Sequence, residues 1–279
     1  MSNLALFNQT ITNERTQKYL TQVLGEKRAS FVNNITALVS NSANLQECEA
    51  ISVLYAGIKA TALDLPLDPN LGFTYVIPYK DNKAGKTVAQ FQIGYKGFIQ
   101  LAMRSGQFKT INVRDVREGE ITGEDFISGE MQFKKIDDNR EAAKIIGYVA
   151  YFRLINGFEK MNYWTIEELQ LHGKRFSQTF KKGFGLWKDD FDSMAKKTAI
   201  KLLLSKYAPL SIEMQGAIIS DQAIINEKGA EYIDNQQDDS KDNEKVADIF
   251  DKALNSAFEE AAVMQDEDDN QNANGELLI

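Results

Sequence analysis

The sequence predicts an α+β fold, and three observations lead to it. Apolar residues recur at helical spacing through roughly the first 65 of 279 residues. Between residues 73 and 164 the period drops to two, in short runs separated by turn residues. Helical spacing then returns and continues to Tyr207. Helices, then successive antiparallel strands, then helices is the order of an antiparallel sheet packed on helices. Hydrophobic residues make up 43% of the chain, enough to fill such a core.

Each element has a local reason. Asn13-Glu14 starts a helix to Leu24, and Gly25 supplies its stop. Phe31, Ile35, Leu38 and Val39 make one helical stripe. Ile51, Leu54, Tyr55, Ile58 and Ala62 make another, before the breaker Asp64-Leu-Pro-Leu-Asp-Pro-Asn70. Residues 73–79 and 88–93 read as strands around the polar loop 80–86, a hairpin. Residues 97–106 read as a short helix. Further strands are expected at 108–116, 121–126, 130–135, 145–154 and 159–164, with Asn156-Gly157 as a hairpin turn. Thr165 with Glu168 forms a capping box. Asp189 or Asp190 caps a helix to about Tyr207, which Pro209 ends. On that helix Phe191, Met194, Ala195, Thr198 and Leu202 share a face, while Lys197 and Lys201 project side by side on a neighbouring flank. Residues 246–264 are helical again, with an apolar stripe too short to fold alone.

Net charge is -8 and the isoelectric point about 4.9, which taken alone argues against a polyanionic partner. The distribution reverses that inference. Residues 221–279 hold 17 acidic and 4 basic side chains, a net of -13. Residues 1–220 hold 28 basic and 23 acidic, a net of +5. The expected organisation is a core at 1–220 (helical at 1–65, sheet plus helix at 66–220), an acidic linker at 221–245, and a small helical and acidic region at 246–279. Within the core, residues 174–206 carry nine cations against Asp189, Asp190 and Asp192. Phe176, Phe180, Phe184, Trp187 and Phe191 are interleaved with them. Cations beside stackable rings suit single-stranded nucleic acid. The same run also reads as a solvated helix face over ordinary core aromatics.

Several function classes fall away. A lone Cys48 suits a reducing compartment and excludes a disulfide scaffold. A lone His172 excludes a His-rich metal site. No apolar run reaches the ~18 residues of a membrane helix, and the first residues do not read as a secretion signal, so a cytoplasmic protein is expected. Ala84-Gly-Lys-Thr87 lacks the upstream glycine of a nucleotide-binding loop and precedes a strand, so no ATP and no cofactor are expected. Glu118, Glu120, Glu124, Asp125 and Glu130 lie on strands without the spacing of a metal-dependent nuclease.

Three segments together carry a family resemblance. They are 62–73 followed by Val76-Ile-Pro-Tyr79; Phe91-Gln-Ile-Gly-Tyr-Lys-Gly-Phe98 leading to Arg104-Ser-Gly106; and Met194-Ala-Lys-Lys-Thr198 leading to Leu204-Ser-Lys-Tyr207. Over about residues 10–215 the chain resembles RecT-type single-strand annealing proteins of phage recombination. The resemblance implies a Rad52-like annealing fold, with a β-sheet packed on a long helix. It implies ATP-independent annealing of single-stranded DNA by homo-oligomeric rings or helical filaments, holding the annealed duplex as an intermediate. It also implies no catalytic site, a phage 5′→3′ exonuclease and a host single-stranded-DNA-binding protein as partners, a terminal partner-binding region, and the cytoplasm of a bacterial host. The motifs place Lys197, Lys201 and Lys206 on basic positions of the family, and bring in Tyr95, Lys96 and Arg104. Lys109, Arg114, Lys174, Arg175, Lys181, Lys182 and Lys188 complete the expected cationic groove, with Tyr79, Phe176 and Trp187 as candidates for packing along DNA. Tyr95 and Phe98 also read as core residues, and Gly94 and Gly97 as sites of tight packing. A passive single-strand-binding protein is the main alternative, with a metal-dependent nuclease behind it.

Overall fold

The computed structural model describes residues 3–81, 85–136, 139–181, 183, 185–226 and 229–232. Its helical start consists of α1 (Asn3–Thr12), α2 (Glu14–Leu24), α3 (Arg28–Ser40), α4 (Ala43–Gln46) and α5 (Ala50–Ala62). The expected cap and stop of α2 are both in place. The Asn13 side chain accepts from the Arg15 N–H, and Gly25 takes φ 51°. The stripes of α3 and α5 face each other, with Phe31, Ile35, Val53 and Leu54 in one buried cluster. Gly57 sets their spacing, because a Cβ there would lie 2.9 Å from both Ile35 and the Phe31 ring.

The hairpin follows as β1 (Thr74–Asp81) and β2 (Lys86–Ile93), antiparallel with Thr74 opposite Ile93. Next comes α6 (Tyr95–Arg104), which begins two residues before the expected start. Gly94 caps it in extended conformation, and a Cβ at Gly94 or Gly97 would run into the carbonyl oxygens of Gly72 and Phe73. These motif glycines therefore let the 72–73 backbone close onto the helix start. Then come β3 (Phe108–Arg117), β4 (Ile121–Asp125), β5 (Glu130–Phe133), β6 (Ile145–Leu154) and β7 (Glu159–Thr165). The chain continues through α7 (Ile166–Phe176), α8 (Gln178–Lys181), α9 (Leu186–Asp189), α10 (Phe191–Tyr207) and α11 (Ile212–Ser220) to β8 (Ala223–Asn226) and β9 (Gly229–Tyr232).

The α+β expectation holds, but one central sheet does not. Among the described residues the strands form three antiparallel sheets, β1-β2-β8-β9, β3-β6-β7 and β4-β5. The helix α6 stands between β2 and β3 in the chain, and these two strands lie in different sheets. The 17-residue α10 packs against both α6 and the β3-β6-β7 sheet. Ala150 and Phe152 of β6, opposite Val113 and Ile111 of β3, meet Ala199, Ile200, Leu203 and Leu204 in the main core.

The boundary expected at residue 220 falls inside this structure. Asp221 is fully buried, Gln222 N–H donates to Phe91 O at 2.9 Å, and β8 pairs with β2 through Phe91–Ala223 and Gln90–Ile224. The reason is that Ala223-Ile-Ile225 is an apolar strand embedded in acidic sequence, where net charge hides it. The rest of the expected linker and the helix expected at 246–264 lie outside the described residues. Among the described residues no helix is long and apolar enough to cross a membrane.

Candidate nucleic-acid interface

The basic run is built on a small core of its own. Thr165 Oγ1 accepts from Glu168 N–H at 3.1 Å while Glu168 Oε2 accepts from Thr165 N–H at 2.9 Å, which fixes the start of α7. Leu169 and Gly173 face inward, and the bare Gly173 lets the Phe180 and Trp187 rings lie against α7. Trp187 is 5% exposed, with Phe180 and Phe191 each at 5.7 Å between ring centroids. Together with Tyr148, Leu169, Met194 and Ala195 it forms a second buried cluster. The expectation that Trp187 packs along DNA is thereby corrected, because a ring enclosed on several sides has no free face.

With the rings turned inward, the cations of these short helices face out. Lys174, Arg175, Lys181 and Lys188 are exposed, and none forms an ion pair among the described residues. The Arg175 guanidinium lies 5.0 Å from the Phe176 ring centroid, and half-buried Phe176 lies 4.6 Å from His172. Lys182 lies outside the described residues.

A second group forms where α6 and α10 start side by side. Exposed Lys96 follows Tyr95, whose half-buried ring has Lys196 Nζ 5.9 Å from its centroid. Lys196 is held by Asp192 at 2.6 Å, and Asp192 also accepts from Tyr148 Oη at 3.1 Å. Burial first, then the Asp190 charge and Tyr95, pushes the Tyr75 hydroxyl upward. Tyr75 carries no mark in the sequence, and Asp192 reads there only as an acid within the basic run; its four-residue spacing from Lys196 is the available signal. The remaining cations are dispersed. Lys109 and Arg114 are exposed on β3, and Lys206 lies over the Tyr207 ring at 5.2 Å near the end of α10. Half-buried Tyr79 is on β1.

Three expected contacts are engaged within the chain instead. Lys197 and Lys201 do stand side by side, but both face Asp221, at 2.8 and 2.7 Å. The Lys197 side chain is 6% exposed and Asp221 is 0% exposed. Asp221 Oδ1 also accepts from Ile93 N–H at 2.9 Å, so the three charges join α10 to β2 and to the start of β8. Lys197 Nζ lies at ion-pair distance without a well-directed hydrogen bond. Arg104 donates to the carbonyls of Leu63 at 2.9 Å and Asp64 at 2.5 Å, and pairs with the Asp64 carboxylate at 3.6 Å. It therefore fastens the breaker loop to α6. No local pattern marks an inward lysine on a helix, and in the sequence its partner Asp221 opens the acidic tail.

These pairs set the acid stability. Burial pushes Asp221 up, but the two ammoniums and the Ile93 N–H outweigh it and hold the carboxyl below its ordinary range. Asp115 is likewise held low, with Arg117 and Arg140 outweighing burial, and Glu120 is held low first by its hydrogen bond from Arg140. Carboxylates depressed in the fold stabilise it above their unfolded values, near 4, and lose that contribution as pH falls through the folded values. Urea unfolding should therefore show a steep loss of stability below about pH 4. A flat profile from pH 5 to 3 would contradict these pairings.

The other candidate chemistries have structural explanations. Burial, then Glu47, pushes the Cys48 thiol up to about 11, away from a reactive thiolate. Glu120 is bound to Arg140 at 2.6 Å, and Asp125 caps the turn after β4. Among the described residues no three metal-ligating side chains converge.

Comparison with known proteins agrees with the sequence motifs. The profile of the RecT family matches residues 29–243. The chain is 42% identical over 236 residues to the uncharacterized protein YqaK of Bacillus subtilis (strain 168), covering 82% of this chain and 78% of that one. It is 34% identical over 180 residues to protein RecT of Escherichia coli (strain K12), covering 64% of this chain and 65% of that one. The chain thus belongs to the RecT family, among the DNA-binding, single-strand annealing proteins of recombination.

Proposed function

We propose that this protein binds single-stranded DNA by its phosphates and anneals complementary strands without ATP, as a repeating assembly of identical subunits. One observation supports this most. Of the twelve expected cations, eight (Lys96, Lys109, Arg114, Lys174, Arg175, Lys181, Lys188 and Lys206) are exposed and form no close ion pair among the described residues. Unneutralised surface cations attract a polyanion and release its counterions.

Annealing makes and breaks no covalent bond. Two strands repel each other, and a protein that screens their phosphates while leaving base edges free lets them pair. Lysine and arginine contacts to phosphate have no sequence preference, which recombination between arbitrary strands requires. Repetition of the subunit along the strand gives length and cooperativity that single contacts lack. The duplex product remains a ligand of the same cations. A 5′→3′ exonuclease that supplies the strand and the host protein that coats it are the expected partners, in the cytoplasm where that DNA lies.

The experiment is annealing of labelled complementary oligonucleotides at low salt, with chelator present and nucleotide absent. The expected result is pairing faster than the spontaneous rate. Slowed pairing would identify a passive coating protein, and an unchanged rate would reject the reading.

A further inference from the structure

The β4–β5 hairpin ends in two large apolar side chains in water. Phe126 is 96% exposed and Ile127 95% exposed. They are held in place rather than loose. Asp125 Oδ1 accepts from the N–H groups of Ile127 at 3.0 Å and Ser128 at 2.7 Å, and Gly129 N–H returns to Asp125 O at 2.8 Å. Lys160 on β7 donates to Ser128 O at 3.0 Å, tying the tip to the neighbouring sheet. An ordered turn presenting adjacent apolar side chains marks a contact with another macromolecule. The turn is flanked by exposed Glu124, Asp125 and Glu130 against the one ammonium of Lys160, a net negative surface that would repel phosphates. The partner surface is therefore protein.

The same chain carries a surface that fits. A groove of about 630 Å³ opens between α3, the breaker loop and α6. Exposed Pro66 and half-buried Phe73 give it apolar surface over a floor of buried Phe31 and Leu65, while Lys27 and Arg104 against the single Asp64 leave it net positive. An acidic hairpin with an apolar tip and a cationic groove with an apolar lining are complementary in both properties. The two surfaces are built from different elements. A contact between them is heterologous, and repetition closes into a ring or extends into a helix.

We propose that Phe126 and Ile127 of one subunit insert into the α3–α6 groove of a second copy, forming the repeating contact of the assembly. This rests on the self-assembly inferred above and identifies its surfaces. Cross-linking tests it, helped by burial of the one native cysteine, Cys48. Ile127→Cys chains mixed with Asn34→Cys chains should give, under mild oxidation, a cross-linked pair that stops at two subunits. Each variant alone should remain uncross-linked, and a chain with both changes should give a ladder of multimers. Dimers from Ile127→Cys alone, an internal loop in the double variant, or no cross-link with or without an oligo-dT strand would each overturn the proposal.

A second variant reads the contact without disulfide chemistry. Phe126→Ser with Ile127→Ser alters only exposed side chains and should lower the apparent association constant by at least tenfold in sedimentation. Unchanged assembly with weaker strand binding would mean that the tip meets DNA, and would overturn it as well. The cross-link needs no annealing activity. A ladder formed by a protein that does not anneal would reject the proposed function and leave this contact standing.

Discussion

Replacing Asp221 with asparagine is expected to destabilise the core by about 3–5 kcal/mol, the usual cost of removing one partner from a buried ion pair. Asp221 is the one anion between two lysines, and it is fully buried. Without it, Lys201 can turn its partly exposed ammonium toward water, but Lys197 cannot. A buried, uncompensated ammonium must either remain at high cost or lose its proton. Burial already holds Lys197 below its ordinary range against the pull of Asp221. Asparagine preserves size and can still accept from Ile93 N–H, so the loss isolates the charge. Lys197→Met should cost less, because it removes a buried cation and leaves Asp221 paired with Lys201. Urea unfolding at neutral pH gives both values, and the midpoint should fall at unchanged slope. A loss below about 1 kcal/mol for Asp221→Asn would mean that the three charges do not hold the fold together. A chain ended at residue 220 loses both this carboxylate and the β8 pairing, and should be destabilised for the same reason.

The second large effect concerns DNA and spares the fold. Lys174, Arg175, Lys181 and Lys188 are exposed and lack ion-pair partners among the described residues, so changing all four to alanine should leave thermal stability nearly intact. Each phosphate contact to a single strand contributes about 0.7 to the log–log slope of affinity against salt. Four such contacts amount to about 2.8, or roughly two to three orders of magnitude in affinity at about 0.1 M salt relative to 1 M. The loss should be the same for unrelated strands of equal length, because phosphate contacts carry no sequence information. Fluorescence anisotropy with labelled oligonucleotides measures it. A loss confined to one strand sequence would point to base reading.

Much of the fold was legible because local signals agreed with tertiary packing. The Asn13 cap, the Gly25 stop, the Thr165–Glu168 box and the Asn156-Gly157 turn each depend on a few neighbouring residues. The division into three sheets depends on which strands meet in space, and alternation along one strand does not encode that. β8 was hidden for a related reason. It is a four-residue strand whose partner, β2, lies about 130 positions earlier in the chain. The basic run on α7–α9 was legible as charge, but the inward turn of Trp187 was not, since interleaved rings serve a core and a stacking platform equally well. Lys197 and Lys201 show the sharper limit. Their spacing placed them correctly on one flank, and only a distant aspartate decides that the flank faces inward.

In the proposed interface, outward cations, with α7–α9 foremost, hold DNA by its phosphates while the paired lysines of α10 hold the protein. The most direct measurement is the salt dependence of affinity for one single-stranded oligonucleotide, taken for the wild type and the fourfold alanine variant. The variant should show a slope shallower by up to about 2.8, with the two lines converging toward 1 M salt and equal thermal midpoints. Parallel lines with the wild-type slope would place those four cations away from the DNA and contradict it.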